Sequence, residues 1–129
     1  MASQSVCLEI PPDPRHIGIV RRQVAACASR AGMGSRALID VQVAVSDAVT
    51  NAILHAEAER ERVRVDAQSV GDELVVRVRE GGTGTAEQPN YPVLGPRLSM
   101  IAALAQVLGV RRCEGGATEL SMRFAIGRG

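Results

Sequence analysis

Four polar side chains recur at helical spacing near the middle of the chain: Asp40, Asp47, Asn51 and His55. At about 100° per residue, with Asp40 as origin, they fall at about 0°, −20°, +20° and +60°, within one narrow stripe. A carboxylate, an amide oxygen and an imidazole stacked turn by turn suit a hydrated Mg²⁺ and a proton acceptor, because Mg²⁺ prefers oxygen ligands and keeps its waters. The same spacing also fits a solvated helix face, and spacing alone leaves both readings open. Two glycine-bearing stretches follow. In Glu80-Gly81-Gly82-Thr83-Gly84 the backbone can pass close against a flat ligand or a phosphate, although such glycines also make plain turns. Their spacing is neither that of a P-loop nor that of a dinucleotide fingerprint. Gly95-Pro96-Arg97-Leu98 opens a helix, where free amides and the positive end of the dipole can receive phosphate, or where Gly-Pro simply caps.

Positioning these groups requires a particular run of elements. Val6, Leu8 and Ile10 alternate up to Pro11-Pro12, as a short edge strand does. Asp13-Pro14 opens a first helix, with Ile17, Val20, Val24, Cys27 and Ala31 on its buried face and Arg21, Arg22 and Arg30 outside. A second helix runs from about Arg36 to His55. Its core stripe is Leu38, Val41, Val45, Ala48, Val49 and Ala52, expected across the helix from the polar stripe. Val63, Val65 and Ala67, a Gly71-Asp72 turn, and Leu74, Val76 and Val78 predict an antiparallel hairpin ending near Glu80. Residues 81–95 hold no periodicity and predict a loop. Pro96 starts a third helix with Leu98, Ile101, Ala105 and Leu108 on one face, closed by Gly109. A last hairpin takes Val110 to Glu114 through Gly115-Gly116 into Leu120, Met122, Phe124 and Ile126. This order predicts an α+β two-layer sandwich, with about three helices on one face of a mixed, mostly antiparallel sheet.

With 129 residues, 46% of them apolar, the chain is sized for one domain over residues 1–129. A formal charge of +1 provides no basic field for nucleic acid or an anionic membrane surface. Tyr91 and Phe124, the only aromatic residues, are too few to stack unpaired bases. The N-terminus lacks the order of a signal peptide, and no apolar run reads as long enough to span a bilayer, so a cytoplasmic protein is expected. Cys7, Cys27 and Cys113 have no metal-type spacing and read as bystander thiols.

The stretch from Val43 to Ala56, VAVSDAVTNAILHA, resembles the N box of the GHKL ATPases, in the branch of bacterial anti-sigma-factor serine kinases. Glu80-Gly81-Gly82-Thr83-Gly84 resembles that family's D-x-G-x-G box, and Gly95-Pro96-Arg97-Leu98 its G-x-G-L box. Gly115-Gly116-Ala117-Thr118 resembles its terminal glycine-threonine turn. The resemblance implies a Bergerat-type ATP site. Asn51 would hold Mg²⁺ against the phosphates and Asp47 would take the base position. His55 would close the box, and Leu98 would follow the phosphate glycine Gly95. Glu80 would face the adenine amino group over Gly82 and Gly84, Thr118 would lie near the adenine end, and residues 85–95 would form a short lid. Three positions depart from the family pattern. Asp47 stands where Glu is usual and Glu80 where Asp is usual, each displacing a carboxylate by roughly 1.5 Å. Arg97 replaces the second glycine of its box, and either contacts phosphate or fills its space.

The function implied is that of an ATP- and Mg²⁺-dependent anti-sigma factor that phosphorylates a serine on a small antagonist protein, exchanging it for a sigma factor. The alternative is a catalytically weak or inactive module of the same fold that sequesters a sigma factor or another regulator. Either form is compatible with a homodimer.

Overall fold

The computed structural model describes residues 4–55, 62–80, 104–105, 107–112 and 118–127. The elements are β1 (Ser5–Ile10), a 3₁₀ turn (Pro14–His16), α1 (Ile17–Arg30), α2 (Ser35–His55), β2 (Val63–Val70), β3 (Glu73–Glu80), β4 (Val107–Arg112) and β5 (Thr118–Ala125).

Local sequence explains most boundaries. The Asp13 carboxylate accepts the Arg15 backbone N–H at 2.9 Å, and Pro14, which has no N–H to satisfy, fits the first position of the turn. Gly32, at φ +104°, lets the chain leave α1, after which the Met33 N–H donates back to the Ala28 carbonyl at 3.1 Å. Gly71, at φ +60°, makes the β2–β3 turn, which closes with Val70 opposite Glu73.

The five strands form one sheet in the order β1-β2-β3-β5-β4, and every described pairing is antiparallel. β1 is an edge strand, as expected. α1 and α2 pack against each other and on β2 and β3. Buried Val20, Val24, Cys27 and Ala28 of α1 and Val41, Ala44, Val45, Ala48, Val49 and Ala52 of α2 meet the inward side chains of β2, β3 and β5. Those are Val63, Val65, Ala67, Leu74, Val76, Val78, Leu120, Met122 and Phe124. Valine and alanine dominate this interface, and Phe124 is the one aromatic residue in it among the described residues.

Two expectations are corrected. The third helix does not reach Gly109: Leu104 is helical, but Val107, Leu108 and Gly109 belong to β4 and face Arg123, Met122 and Ser121 across the ladder. Leu108 and Val110 also sit at strand period, and pairing with β5 decides between the two periods. The remainder of that helix and the Gly115-Gly116 turn lie outside the described residues. Second, among the described residues one run is long and apolar enough to cross a bilayer by length and composition, Ser35–Leu54 of α2. Its apolarity has a local cause, because much of the helix is packed against α1 and the sheet.

Candidate functional site

α2 is the element that positions the polar stripe. Its good helix formers and its buried stripe, from Val41 to Ala52, fix the rotation of the helix on β3. That rotation turns Asn51 inward, where it is 3% exposed, and leaves Asp40 and Asp47 half-buried. The polar stripe therefore does not lie across from the core stripe; it borders it. Ala44, at about +40° on the wheel, is fully buried between the two, which places the seam close to Asn51. A solvated face cannot describe Asn51.

The Asn51 side-chain nitrogen is buried and has no hydrogen-bond partner among the described residues. An amide donor left in this state costs about 1–3 kcal/mol, so an unpartnered one at a helix–sheet seam marks a place where a ligand atom fits. A primary amide offers an oxygen to a cation and an N–H to a phosphate oxygen.

The sheet adds two further residues, at the end of β3 and the start of β5. One row of the ladder runs Ile10–Val63–Glu80–Thr118–Arg112 across all five strands. Glu80 and Thr118 are thus direct cross-strand neighbours. Both keep step with inward residues of their strands, Val76 and Val78 on β3 and Leu120 and Met122 on β5, and so lie on the helix-covered side. Glu80 is 8% exposed, a buried carboxylate among otherwise apolar inward positions. His55 ends α2, and Val63, the first residue of β2, stands in this row.

Asp47 and Asn51 lie one turn apart on α2, and Glu80 and Thr118 are paired across β3 and β5. His55 ends α2, and its side chain lies outside the described residues, as do Gly82, Gly84, Gly95, Arg97 and Leu98. Among the described residues no three His, Cys, Asp or Glu side chains are grouped to hold a metal. A cation here would rely on Asn51 together with oxygens supplied by a ligand and water. Sequence reasoning missed Ser46, whose hydroxyl is buried without a partner among the described residues. Its signal was a serine inside the most apolar stretch of a helix. Thr50 turns its hydroxyl back onto the Ser46 carbonyl at 2.7 Å, which satisfies it locally.

Comparison with known proteins identifies the family of the chain. Residues 10–124 match the histidine kinase-like ATPase domain. The serine-protein kinase RsbW of Listeria innocua is 32% identical over 93 residues, which cover 70% of this chain and 59% of the relative. RsbW of Bacillus subtilis is 32% identical over 91 residues, covering 69% of this chain and 57% of that one. The chain therefore spans less than two thirds of the length of these relatives. A solved structure of the RsbU and RsbW domains of a Mycobacterium tuberculosis protein superposes with a TM-score of 0.75 at 19% identity, covering 97% of this chain and 33% of that one. That likeness carries the fold. With the family match extending over β2 to β5 and both described α-helices, this chain belongs to the histidine kinase-like ATPase domain family.

Proposed function

We propose that the chain acts as one ATP-binding domain of a cytoplasmic anti-sigma factor, which phosphorylates a serine on a small antagonist protein and exchanges that antagonist for a sigma factor. The observation that carries this reading is Asn51, a buried amide whose nitrogen has no partner among the described residues. The similarity to proteins named serine-protein kinase RsbW supports the reaction type.

In this reading Asn51 presents its amide to the phosphates and to Mg²⁺, which supplies charge neutralisation for the transferred group when bound. Glu80 accepts a hydrogen bond from the adenine amino group, and Thr118, across the ladder, lines the same end of the pocket. Gly82, Gly84, Gly95, Arg97, Leu98 and His55 complete the site by resemblance. The serine hydroxyl attacks the γ-phosphorus, the bond to the β–γ bridging oxygen breaks, ADP leaves, and Asp47 takes or orients the hydroxyl proton. Positioning and charge stabilisation supply most of the rate, so a half-buried carboxylate one turn from Asn51 is suitably placed.

The second reading, a nucleotide-dependent binder without transfer, rests on the departures from the family pattern at Asp47, Glu80 and Arg97, and above all on Asp47, one methylene shorter than the family's glutamate. Phosphate transfer from labelled ATP to the antagonist separates the two. The kinase reading expects transfer by the natural chain, a loss of about 10²-fold or more in Asp47→Ala, and ATP affinity nearly unchanged in that variant. No transfer by the natural chain, with transfer gained in Asp47→Glu, establishes the binder.

A further inference from the structure

One row of the ladder runs Glu9–Arg64–Arg79–Glu119–Arg111, immediately beside the row that carries Glu80 and Thr118. By alternation Arg64, Arg79 and Glu119 belong to the open face of the sheet, away from α1 and α2. Arg64 and Arg79 stand directly opposite each other, and like charges so placed repel unless each has a carboxylate at hand. Arg64 has Asp66, 3.7 Å away. The carboxylate that faces Arg79 is Glu119, on the other neighbouring strand. Glu119 is 7% exposed, whereas the side chains of the open-face pairs Arg64–Asp66 and Arg123–Glu73 are 33–50% exposed. A carboxylate that deep is tolerated beside a cation, and the ladder supplies one. The backbone adds a second observation. The Ile126 N–H donates to the Asp72 carbonyl at 2.8 Å, and the β3–β5 register continues from Glu73–Ala125 to Glu80–Thr118 without a bulge. Alternate pairs therefore exchange backbone bonds: Glu80 and Thr118 do, and Arg79 and Glu119, one step in, do not. A pair of the second kind has its Cα atoms about 4.5 Å apart and its side chains closest, so side chains hold that step.

We infer that Arg79 and Glu119 are positioning residues for the nucleotide site: from the open face they pin the end of β3 to the start of β5, and so set Glu80 and Thr118 at the spacing the base requires on the covered face. The inference rests on the reading of Glu80 as the acceptor of the adenine amino group. Arg79 and Glu119 do not touch nucleotide there, because successive side chains of a strand point to opposite faces. Their effect passes through the backbone. Arg79 immediately precedes Glu80, and Glu119 immediately follows Thr118. Without the Glu119 charge, Arg79 faces the charge of Arg64, and the last rung of the described ladder loses the attraction that closes it. A hydrogen bond spans about 2.7–3.2 Å, so a shift of about 1 Å in Glu80 is enough to lose one to the base.

The test measures calorimetric Kd on the full chain for two probes with Mg²⁺, ATP and purine riboside triphosphate, which lacks the amino group. The natural chain should prefer ATP about tenfold or more, the worth of a hydrogen bond to a charged acceptor. In Glu119→Gln that preference should fall to within about threefold, while Kd for purine riboside triphosphate stays within about threefold of the natural value. Arg79→Gln, at a half-buried position, should do the same, and the charge-exchanged Arg79→Glu/Glu119→Arg should recover the preference. A merely structural role lowers stability without moving the ratio, so an unchanged ratio in either single variant overturns the inference. So does a double variant that only adds the two losses. If Glu119→Gln does not fold, Arg79→Gln decides. If the natural chain shows no preference or binds neither probe, the reading of Glu80 fails by itself, and native-state hydrogen exchange decides the pin. Glu80 and Thr118 amides exchanging about tenfold or more faster in Glu119→Gln, with those of Leu74 and Phe124 in the same ladder unchanged, support it, and equal exchange overturns it.

Discussion

On the helix-covered face of the sheet the inward positions are Val63, Val65, Ala67, Leu74, Val76, Val78, Leu120, Met122 and Phe124, all buried. On the opposite face the same strands carry Arg64, Asp66, Gln68, Glu73, Arg77, Arg79, Ser121 and Arg123, exposed or half-buried. Each face has exceptions, and their positions differ. The open face buries Val75 and Glu119, at 6% and 7% exposure, in mid-strand or beside Arg79, where long arginine stems can lie over them. The covered layer buries Asn51 and Glu80, and Glu80 is paired with Thr118 at the end of the β3–β5 ladder. Polar residues scattered over a solvated face are ordinary surface chemistry. Polar residues buried in an apolar seam are a departure that packing does not require, and such departures are expected where a ligand is held.

The largest effect expected from this contrast is on stability. Leu74→Ala on the covered face, where Leu74 is fully buried, should cost about 2–5 kcal/mol of unfolding free energy in a urea titration. Arg123→Ala on the open face, which removes a 3.7 Å contact to Glu73 with both side chains well exposed, should change it by less than about 1 kcal/mol. Equal costs would mean that the sheet is covered on both sides.

Asn51→Ala asks whether the buried exceptions serve the fold or the ligand. Removing a buried donor that has no partner among the described residues relieves its desolvation cost, so unfolding free energy without nucleotide should rise, or fall by no more than about 1 kcal/mol. The natural chain should gain about 2.7 kcal/mol from ATP with Mg²⁺ at a hundred times its dissociation constant, and Asn51→Ala should lose that gain. A variant that unfolds without nucleotide, yet still responds to it, would make Asn51 a structural residue.

The same two faces explain what could be read in advance. The hairpin from Val63 to Glu80 is where it was expected, because strict alternation and a glycine able to take φ +60° both point to it. α2 is there too, but which way its polar stripe points is not a property of its spacing. It depends on how α1 and β3 pack around Ala44, a small residue that the wheel alone leaves neutral. The end of the third helix was misplaced because Leu108 fits both periods, and only Met122 opposite it selects the strand. Glu80 and Thr118 were singled out separately, thirty-eight positions apart in sequence. Their adjacency belongs to the β3–β5 pairing, a contact that local pattern does not encode.

Thiol labelling sharpens the contrast more finely, because the two faces each hold a cysteine. Cys7 is exposed on β1, while Cys27 is buried on α1 with its thiol directed at the Ala67 carbonyl, 3.9 Å away. Iodoacetamide followed by peptide mass mapping should modify Cys7 in the native protein and Cys27 only on unfolding. Partial burial and the nearby Asp66 carboxylate both raise the Cys7 thiol above its ordinary value, so its labelling should still be accelerating through pH 9. Native-state labelling of Cys27 would show that α1 lifts from the sheet.

The smallest effect concerns a surface ion pair with good geometry. The Asp13 carboxylate accepts hydrogen bonds from the Arg15 guanidinium, the nearest at 2.8 Å, and from the Arg15 backbone N–H, at 2.9 Å. In that order of importance, the side-chain and backbone bonds lower its pKa from 3.8 to about 2. A carboxyl whose folded pKa lies below its unfolded one stabilises the fold fully above the unfolded value and loses that contribution as pH falls through the folded one. Asp13→Asn keeps an acceptor at the cap but removes the charge. Its melting temperature should therefore lie slightly below that of the natural chain at pH 6, with the gap closing between about pH 4 and pH 2. Solvent screens the pair and the turn it caps lies at the rim of the covering layer, so the gap should be far smaller than that of Leu74→Ala. A gap that persists unchanged at pH 2 would trace the loss to cap geometry in place of charge.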